Sequence, residues 1–243
     1  MEKIKLVDFF NKINYDLKKD KYKIEEICYF TKTRADLSKR GFSFSYGMEQ
    51  PFIIKAIIEH YKSEYFFEMG TGRGTASYSA ALSKTIKEII TVDIVRFDQK
   101  QNTAIGYMPA LVSNKDLYDR IDFDEKKKIK FFERNKFIKN IADFGNKFDI
   151  CFIDGEHDNE YVIAEDISLA QRILKHDAIF IFDDYCLNRF SVKKVVDNFL
   201  SRNNNFNSVL IEMRGHLFDN ERKEKNEGLV IISTRNLLFG GTT

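Results

Sequence analysis

The sequence has no tryptophan, only two prolines (Pro51 and Pro109) and only three cysteines in 243 residues. Cys28, Cys151 and Cys186 form an odd, widely spaced set. Neither a disulfide framework nor a cysteine zinc cluster is expected, and the usage fits a reducing compartment, with the cytoplasm as the default location. An excess of one charge is missing as well. The 39 basic and 37 acidic side chains leave +2, so there is no global basic field for gripping a nucleic acid. No apolar run reaches the ~18 residues of a membrane span. The opening MEKIKLVDFF carries charges inside its apolar stretch, unlike a secretory signal. What is present is ordinary for a globular chain. Hydrophobic residues are 43% and charged residues 31%, which excludes a disordered polymer and supplies apolar surface for a large core. The length suits one large domain, or one domain with an appendage.

Residues 3–18 place Ile4, Val7, Phe10 and Ile13 at helical spacing, and residues 22–38 read as a second helix. Gly41 and Gly47 punctuate a loop, and Pro51 opens a helix over 51–62. Residues 1–45 are therefore expected as a helical N-terminal extension, either a lid or a dimer arm, ahead of a main domain over 46–243. From residue 64 the pattern changes to short apolar runs. Strands are predicted over 64–70, 88–94, 128–134, 148–154, 178–184, 207–213 and 228–234, with helices at 75–84, 167–175 and 191–202. Near-continuous apolar strands alternating with helices indicate an α/β fold: a doubly wound, Rossmann-like, mostly parallel seven-stranded sheet. The last two strands have no helix between them and are expected to pair antiparallel. The segment 95–127 is predicted as a partly helical insertion at the active-site rim. The charged runs 124–128 and 221–227 read as a solvated turn and a hairpin loop.

The first strand of the main domain runs into Glu68-Met-Gly70-Thr71-Gly72-Arg-Gly74, and a helix opens after it. Glycines there permit positive φ and close approach of a ligand to the backbone. A dinucleotide fingerprint would need a third glycine at 75 or 77, where Thr and Ser stand, and a phosphate-binding Gly-Lys-Ser/Thr is absent. Asp93 closes the next strand, 21 residues beyond Gly72, where a carboxylate can accept both hydroxyls of a ribose. The plainer readings are a tight strand–helix turn and a surface acid. The order E-x-G-x-G-x-G, then an acid ending the second strand, resembles the first two motifs of class I S-adenosylmethionine-dependent methyltransferases over roughly residues 45–235. The resemblance implies S-adenosylmethionine as cofactor. Gly70, Thr71, Gly72 and Gly74 would lie under its methionine portion and Glu68 near its amino-acid end. Asp93 would bind the ribose, Asn135 would stand near the adenine, and the loop 46–50 would cover the cofactor.

A second constellation is IDGEHDNEYVIAEDI (153–167) followed by FIFDDY (180–185). It is similar to the D-G-x-H pattern and strand-five aspartate pair of small-molecule O-methyltransferases of the catechol and macrolide-sugar type. His176-Asp177 departs from the Gly-Gly turn of many relatives. Asp154 and the pair Asp183-Asp184 end neighbouring parallel strands, so their carboxylates share one edge. Mg²⁺ or another divalent cation would relieve their repulsion. In the metal-dependent relatives an ion at the matching positions lowers the pKa of the substrate hydroxyl. A solvated acidic turn is the alternative. Glu156, two residues after Asp154, and His157, an imidazole suited to proton transfer near neutrality, are the two candidate bases, with Asp154 beside them. Tyr161 and Asp166 read as shaping the following helix.

Together these features predict a metal-assisted, S-adenosylmethionine-dependent O-methyltransferase. Its acceptor would be a small hydroxylated molecule such as a sugar, a glycosylated metabolite or a diol. Nucleic acid and membrane are not expected as partners, and a homodimer is expected if residues 1–45 are an arm. The alternatives are a metal-independent N- or carboxyl-methyltransferase and a non-catalytic cofactor-binding scaffold.

Overall fold

Runs such as YFFEM, FDICFI and GLVIIS combine β-branched and aromatic residues without a polar face, and they form the middle of one sheet. The computed structural model of the chain describes residues 1–31, 35–36, 43–44, 49–100, 112–185, 190–213 and 228–237. The N-terminal elements are β1 (Glu2–Lys5), α1 (Leu6–Lys12), α2 (Leu17–Thr31) and a two-residue pair, β2 (Ala35–Asp36) with β3 (Ser43–Phe44). Then come α3 (Gln50–Tyr61), β4 (Tyr65–Met69), α4 (Thr75–Ala81), β5 (Glu88–Asp93), α5 (Asn114–Arg120), β6 (Ile129–Glu133) and α6 (Arg134–Lys139). The C-terminal third holds β7 (Phe148–Ile153), α7 (Glu160–Gln171), β8 (Leu174–Phe182), α8 (Val192–Arg202), β9 (Asn207–Glu212) and β10 (Gly228–Ser233).

The large sheet has eight strands in the order β1-β9-β10-β8-β7-β4-β5-β6. β8, β7, β4, β5 and β6 are mutually parallel, and β10 runs antiparallel to both β8 and β9. This is a Rossmann-like α/β fold with a C-terminal antiparallel pair. The chain moves outward through β4, β5 and β6, then returns to β7 on the other side of β4. The direction of winding reverses there, and ligands of such sheets bind in the crevice at the carboxyl edge of that switch point.

Alternation along the strands divides the core between the two faces. Phe66, Ile150, Phe152, Ile179, Ile181, Leu229 and Ile231 face one cluster, with residues from α1 to α4. Phe67, Cys151, Ile153, Phe180, Phe182, Val230 and Ile232 face the other, with residues from α6, α7 and α8.

The sheet has one strand more than the sequence pattern predicts. Residues 2–5, expected inside a helix over 3–18, pair parallel with β9, Ile4 opposite Ile211. The helical spacing is misleading because Val7 is 57% exposed, while α1 buries Leu6, Phe9 and Phe10 instead. Charged residues flanking a single buried Ile4 suit an edge strand. The second expected helix, 22–38, begins earlier, at Leu17, and ends at Thr31. The helix expected at 167–175 is Glu160–Gln171, held at its start by Asn159, whose side chain accepts from the Tyr161 and Val162 N–H groups. β8 starts at Leu174, so His176 and Asp177 lie within the strand rather than in a turn before it. Within 95–127 the structure shows α5, opened by a reciprocal Ser113–Asp116 capping box, and a short 3-10 helix at Asp124–Lys128. Residues 101–111, 45–48 and 221–227, together with Cys186, lie outside the described residues. Among the described residues no helix is long and apolar enough to cross a membrane.

Candidate active site

The glycine segment must turn sharply from β4 into α4 while passing the end of β7. Gly70 does this at φ +95°, its N–H donating to Val92 O at 2.8 Å. A Cβ on Gly70 would stand 2.2 Å from the Asp154 carbonyl oxygen, so the two loops touch through backbone. Gly72, at φ +50°, is different: a Cβ there would meet nothing within 4 Å, and the residue faces open space. Its N–H donates to Asp93 Oδ2 at 2.9 Å, and the Val95 N–H donates to Asp93 Oδ1 at 2.9 Å. A carboxylate has about four acceptor positions, so Asp93 keeps capacity for two further donors such as a ribose diol.

Beneath the loop, Glu68 is 1% exposed and accepts from Ser77 Oγ at 2.5 Å and Thr91 Oγ1 at 2.6 Å. Burial pushes its carboxyl up to about 7 against the opposing pull of those hydroxyls. Thr91 spends its one hydrogen on Glu68, so the 2.6 Å contact between Thr71 and Thr91 is donated by Thr71.

The loop, the end of β5 and the start of the loop after β7 enclose a cavity of about 340 Å³, of the size that holds a small organic ligand. Glu68, Gly70, Thr71, Gly72, Asp93, Asp154, Glu156 and His157 all line it. Gly74 is not in the lining. It opens α4 at φ +78°, with the Tyr78 ring 2.9 Å from where its Cβ would be. Asn135 is exposed and outside the lining, and the residue before it, Arg134, is inside. The Arg134 guanidinium pairs with buried Asp166, bonds Glu165 at 2.6 Å and reaches the Met69 sulfur at 3.3 Å. Burial pushes Asp166 up to about 6, opposed by Arg134.

The acidic cluster stands at one side of this cavity. Asp154 follows β7, and its N–H donates to Met69 O at 2.9 Å. Asp183 and Asp184 follow β8, with the Asp183 N–H on Ile153 O at 3.1 Å. Asp184 lies in the left-handed region at φ +51°, which short acidic side chains tolerate, and its Oδ2 is 3.2 Å from His157 Nδ1. One ligand atom from each of Asp154, His157 and Asp184 falls within 4.8 Å of the others. Asp183 joins the cluster through Gln50, whose Nε2 donates to Asp183 Oδ2 at 2.6 Å and to Asp154 Oδ2 at 3.4 Å. Burial, followed by the charges of Asp183 and Asp184, holds the Asp154 carboxyl well above the usual carboxylate range. Converging carboxylates in a desolvated cleft, with an imidazole at hand, are a donor set that fits a divalent cation. Glu156 is committed differently. Its Oε1 accepts the backbone N–H groups of His157, Asp158 and Asn159 at 3.0, 2.9 and 3.2 Å, which lowers its pKa and staples the loop.

Sequence reasoning missed Gln50 and Arg134. Gln50 ends the loop 46–50, expected to cover the cofactor, but its aspartate partners lie 104 and 133 positions away and no local pattern marks that contact. The sequence signal that could have found Arg134 is an arginine closing the strand predicted over 128–134, at the edge where ligands bind.

A family model described as a methyltransferase domain matches residues 67–185, which span the glycine loop, Asp93 and the whole acidic cluster. Among proteins with curated descriptions, none matches the sequence significantly. Solved structures of similar fold include an O-methyltransferase from Bacillus cereus in complex with S-adenosylhomocysteine. It is 11% identical, with 87% of this chain and 90% of that chain covered and a TM-score of 0.57. The O-methyltransferase TomG from Streptomyces achromogenes, involved in tomaymycin synthesis and bound to S-adenosylmethionine, is 12% identical, with 87% of each chain covered and a TM-score of 0.55. A Staphylococcus aureus protein assigned as a caffeoyl-CoA O-methyltransferase is 19% identical, with 92% of this chain and 99% of that chain covered and a TM-score of 0.56. At such identities the likeness is one of fold. The glycine loop that meets β7 through backbone, the acid ending β5 and the family match over the same residues lead to one conclusion: residues 67–185 are similar to a methyltransferase domain, within a chain that has the Rossmann-like α/β fold of these structures.

Proposed function

We propose that this protein methylates a hydroxyl of a small polyhydroxylated acceptor, a sugar, a glycosylated metabolite or a diol, with the help of a divalent cation. The observation that carries this reading is the convergence of Asp154, His157 and Asp184 within 4.8 Å of one another beside the cavity, with Asp183 tied to Asp154 through Gln50.

Bound S-adenosylmethionine would supply an electrophilic methyl on a sulfonium centre. The chain's part is to hold and aim. Gly72 leaves room above the loop, Asp93 offers its remaining acceptor positions to the ribose, and Ile94, 79% exposed at the cavity wall, offers an aliphatic surface to the base. A cation held by Asp154, Asp183 and Asp184 would supply positive charge beside the acceptor oxygen and favour its deprotonation. Among the residues themselves, His157 is placed to take the proton. Its Nδ1 faces Asp184, which leaves Nε2 as the acceptor of the ring, whereas Glu156 is occupied by three backbone donors. Alignment of oxygen and methyl then provides much of the acceleration.

The test is calorimetric titration of S-adenosylmethionine and S-adenosylhomocysteine, with and without Mg²⁺ and with NAD as comparator, followed by an acceptor screen with and without chelator. Saturable binding of both adenosyl ligands but not NAD, and turnover that chelator removes, is the expected result. Turnover that survives chelation moves the reading to a metal-independent N- or carboxyl-methyltransferase. Adenosyl binding with no turnover on any acceptor class favours a cofactor-binding scaffold.

A further inference from the structure

Gln50 is the first residue of α3, ahead of Pro51 and of Phe52, Ile53 and Ile54, which are completely buried. Its backbone is therefore anchored by packing, while its half-exposed side chain reaches across to the ends of β7 and β8. The amide nitrogen lies 2.6 Å from Asp183 Oδ2 and 3.4 Å from Asp154 Oδ2. An amide NH₂ has two hydrogens, so one can serve each carboxylate. A neutral donor thus stands between two acids on neighbouring parallel strands, where a cation would stand between them.

We propose that Gln50 is a ligand of the metal site: its amide, which bridges Asp154 and Asp183, turns to give the ion a carbonyl-oxygen ligand. The proposal rests on the metal-assisted reading above. The chemistry of the side chain allows both roles. The positive end of the amide dipole faces the carboxylates now, and it would face an incoming cation unfavourably. A half-turn about the terminal torsion, which is soft because it joins sp³ and sp² carbons, exchanges Nε2 for Oε1 at nearly the same place. Hard divalent ions accept Gln carbonyl oxygens alongside carboxylates. No backbone movement is required, which suits an anchored helix start.

The experiment is calorimetric titration of Mn²⁺ into the full chain and into Gln50→Met and Gln50→Glu, with S-adenosylhomocysteine titrated separately into each. Methionine keeps the length of the side chain but offers neither an N–H nor a hard oxygen. Glutamate restores an oxygen at the same reach. Gln50→Met is expected to bind Mn²⁺ about tenfold more weakly, the scale seen when a group supporting a metal site is removed. Gln50→Glu is expected to bind it at least as tightly as the natural protein, and both variants should keep their affinity for S-adenosylhomocysteine within about twofold. Undiminished Mn²⁺ binding by Gln50→Met overturns the proposal. So does a loss that Gln50→Glu fails to restore, because that marks damage to packing rather than loss of a ligand. A natural protein that binds S-adenosylhomocysteine but takes up no Mn²⁺ overturns the metal-assisted reading and the role of Gln50 together, while the adenosyl-cofactor assignment survives.

Discussion

Glu68 shows how one buried side chain links stability to pH. Its carboxyl is pushed from the ordinary 4.5 to about 7 in the fold, so between those values the native state binds a proton that the unfolded chain has released. Stability from this group is complete below about 4.5 and is lost as pH rises through 7. The shift corresponds to roughly 3 kcal/mol. Glu68→Gln keeps an oxygen for Ser77 and Thr91 but does not titrate. Urea unfolding at pH 5 and pH 8 should therefore show the natural protein losing up to about 3 kcal/mol relative to the variant. Parallel pH profiles would remove this assignment. The two glycines of the loop should separate just as clearly. Gly70→Ala puts a methyl against the Asp154 carbonyl oxygen at positive φ and is expected to cost several kcal/mol, read as a lower urea midpoint. Gly72→Asp has open space around it, so the fold should survive while calorimetric binding of S-adenosylmethionine is abolished, because the added carboxylate occupies the ligand's approach. Both glycines are visible in the sequence. That one is packed shut and the other open depends on where β7 ends.

Among the elements, α3 has a second unusual feature besides Gln50. Lys55 is 1% exposed, bonds Asp20 of α2 at 2.8 Å and also pairs with Glu59. Tyr15 donates its hydroxyl to the same Asp20 at 2.8 Å. This buried polar knot ties the N-terminal helices to the helix that carries Gln50. Lys55→Met removes the cation and leaves Asp20 and Glu59 uncompensated, so a loss of about 3 kcal/mol is expected in urea unfolding, with earlier proteolytic cleavage in α2. Replacing Asp20 with leucine in the same variant should recover part of that loss, because buried pairs are often replaceable as pairs. The helical pattern of 51–62 is plain in the sequence. The lysine inside its apolar face looks like an interruption until the partner helix is in place.

At the scale of the whole molecule, the N-terminal segment shares the core of the main sheet. Ile4, Leu6, Phe9, Phe10, Ile24 and Ile27 belong to the same buried cluster as Phe52, Phe66 and Ile211. At ~2 kcal/mol for each fully buried apolar side chain these six represent on the order of 10 kcal/mol, comparable with the ~5–15 kcal/mol net stability of a domain. Removal of residues 1–31 is therefore expected to give insoluble or unfolded protein by circular dichroism. A soluble truncation that still binds S-adenosylhomocysteine would show instead that this segment is a dispensable lid or arm.

The glycine loop, the acid at the end of β5, the acids after β7 and β8 and the period-two alternation of the central strands are all local patterns. Each arises from constraints within a few residues: positive φ, strand pleating and the reach of a strand end. For that reason the α/β fold, its antiparallel C-terminal pair and the rough place of the cavity were legible from the amino-acid order. Other features depend on residues far apart in the chain. β1 joins the sheet only because β9 leaves an edge for it, and the spacing of Ile4 and Val7 suits a helix equally well. Gln50 meets its two aspartates across 104 and 133 positions, and Arg134 reaches Asp166 across 32. Whether Glu156 or His157 turns toward proton transfer was balanced in the sequence. Local turn geometry puts three backbone N–H groups on Glu156, and only the neighbouring strand end brings Asp184 to 3.2 Å from His157 Nδ1, because a hydrogen bond is decided by where the chain brings its donor.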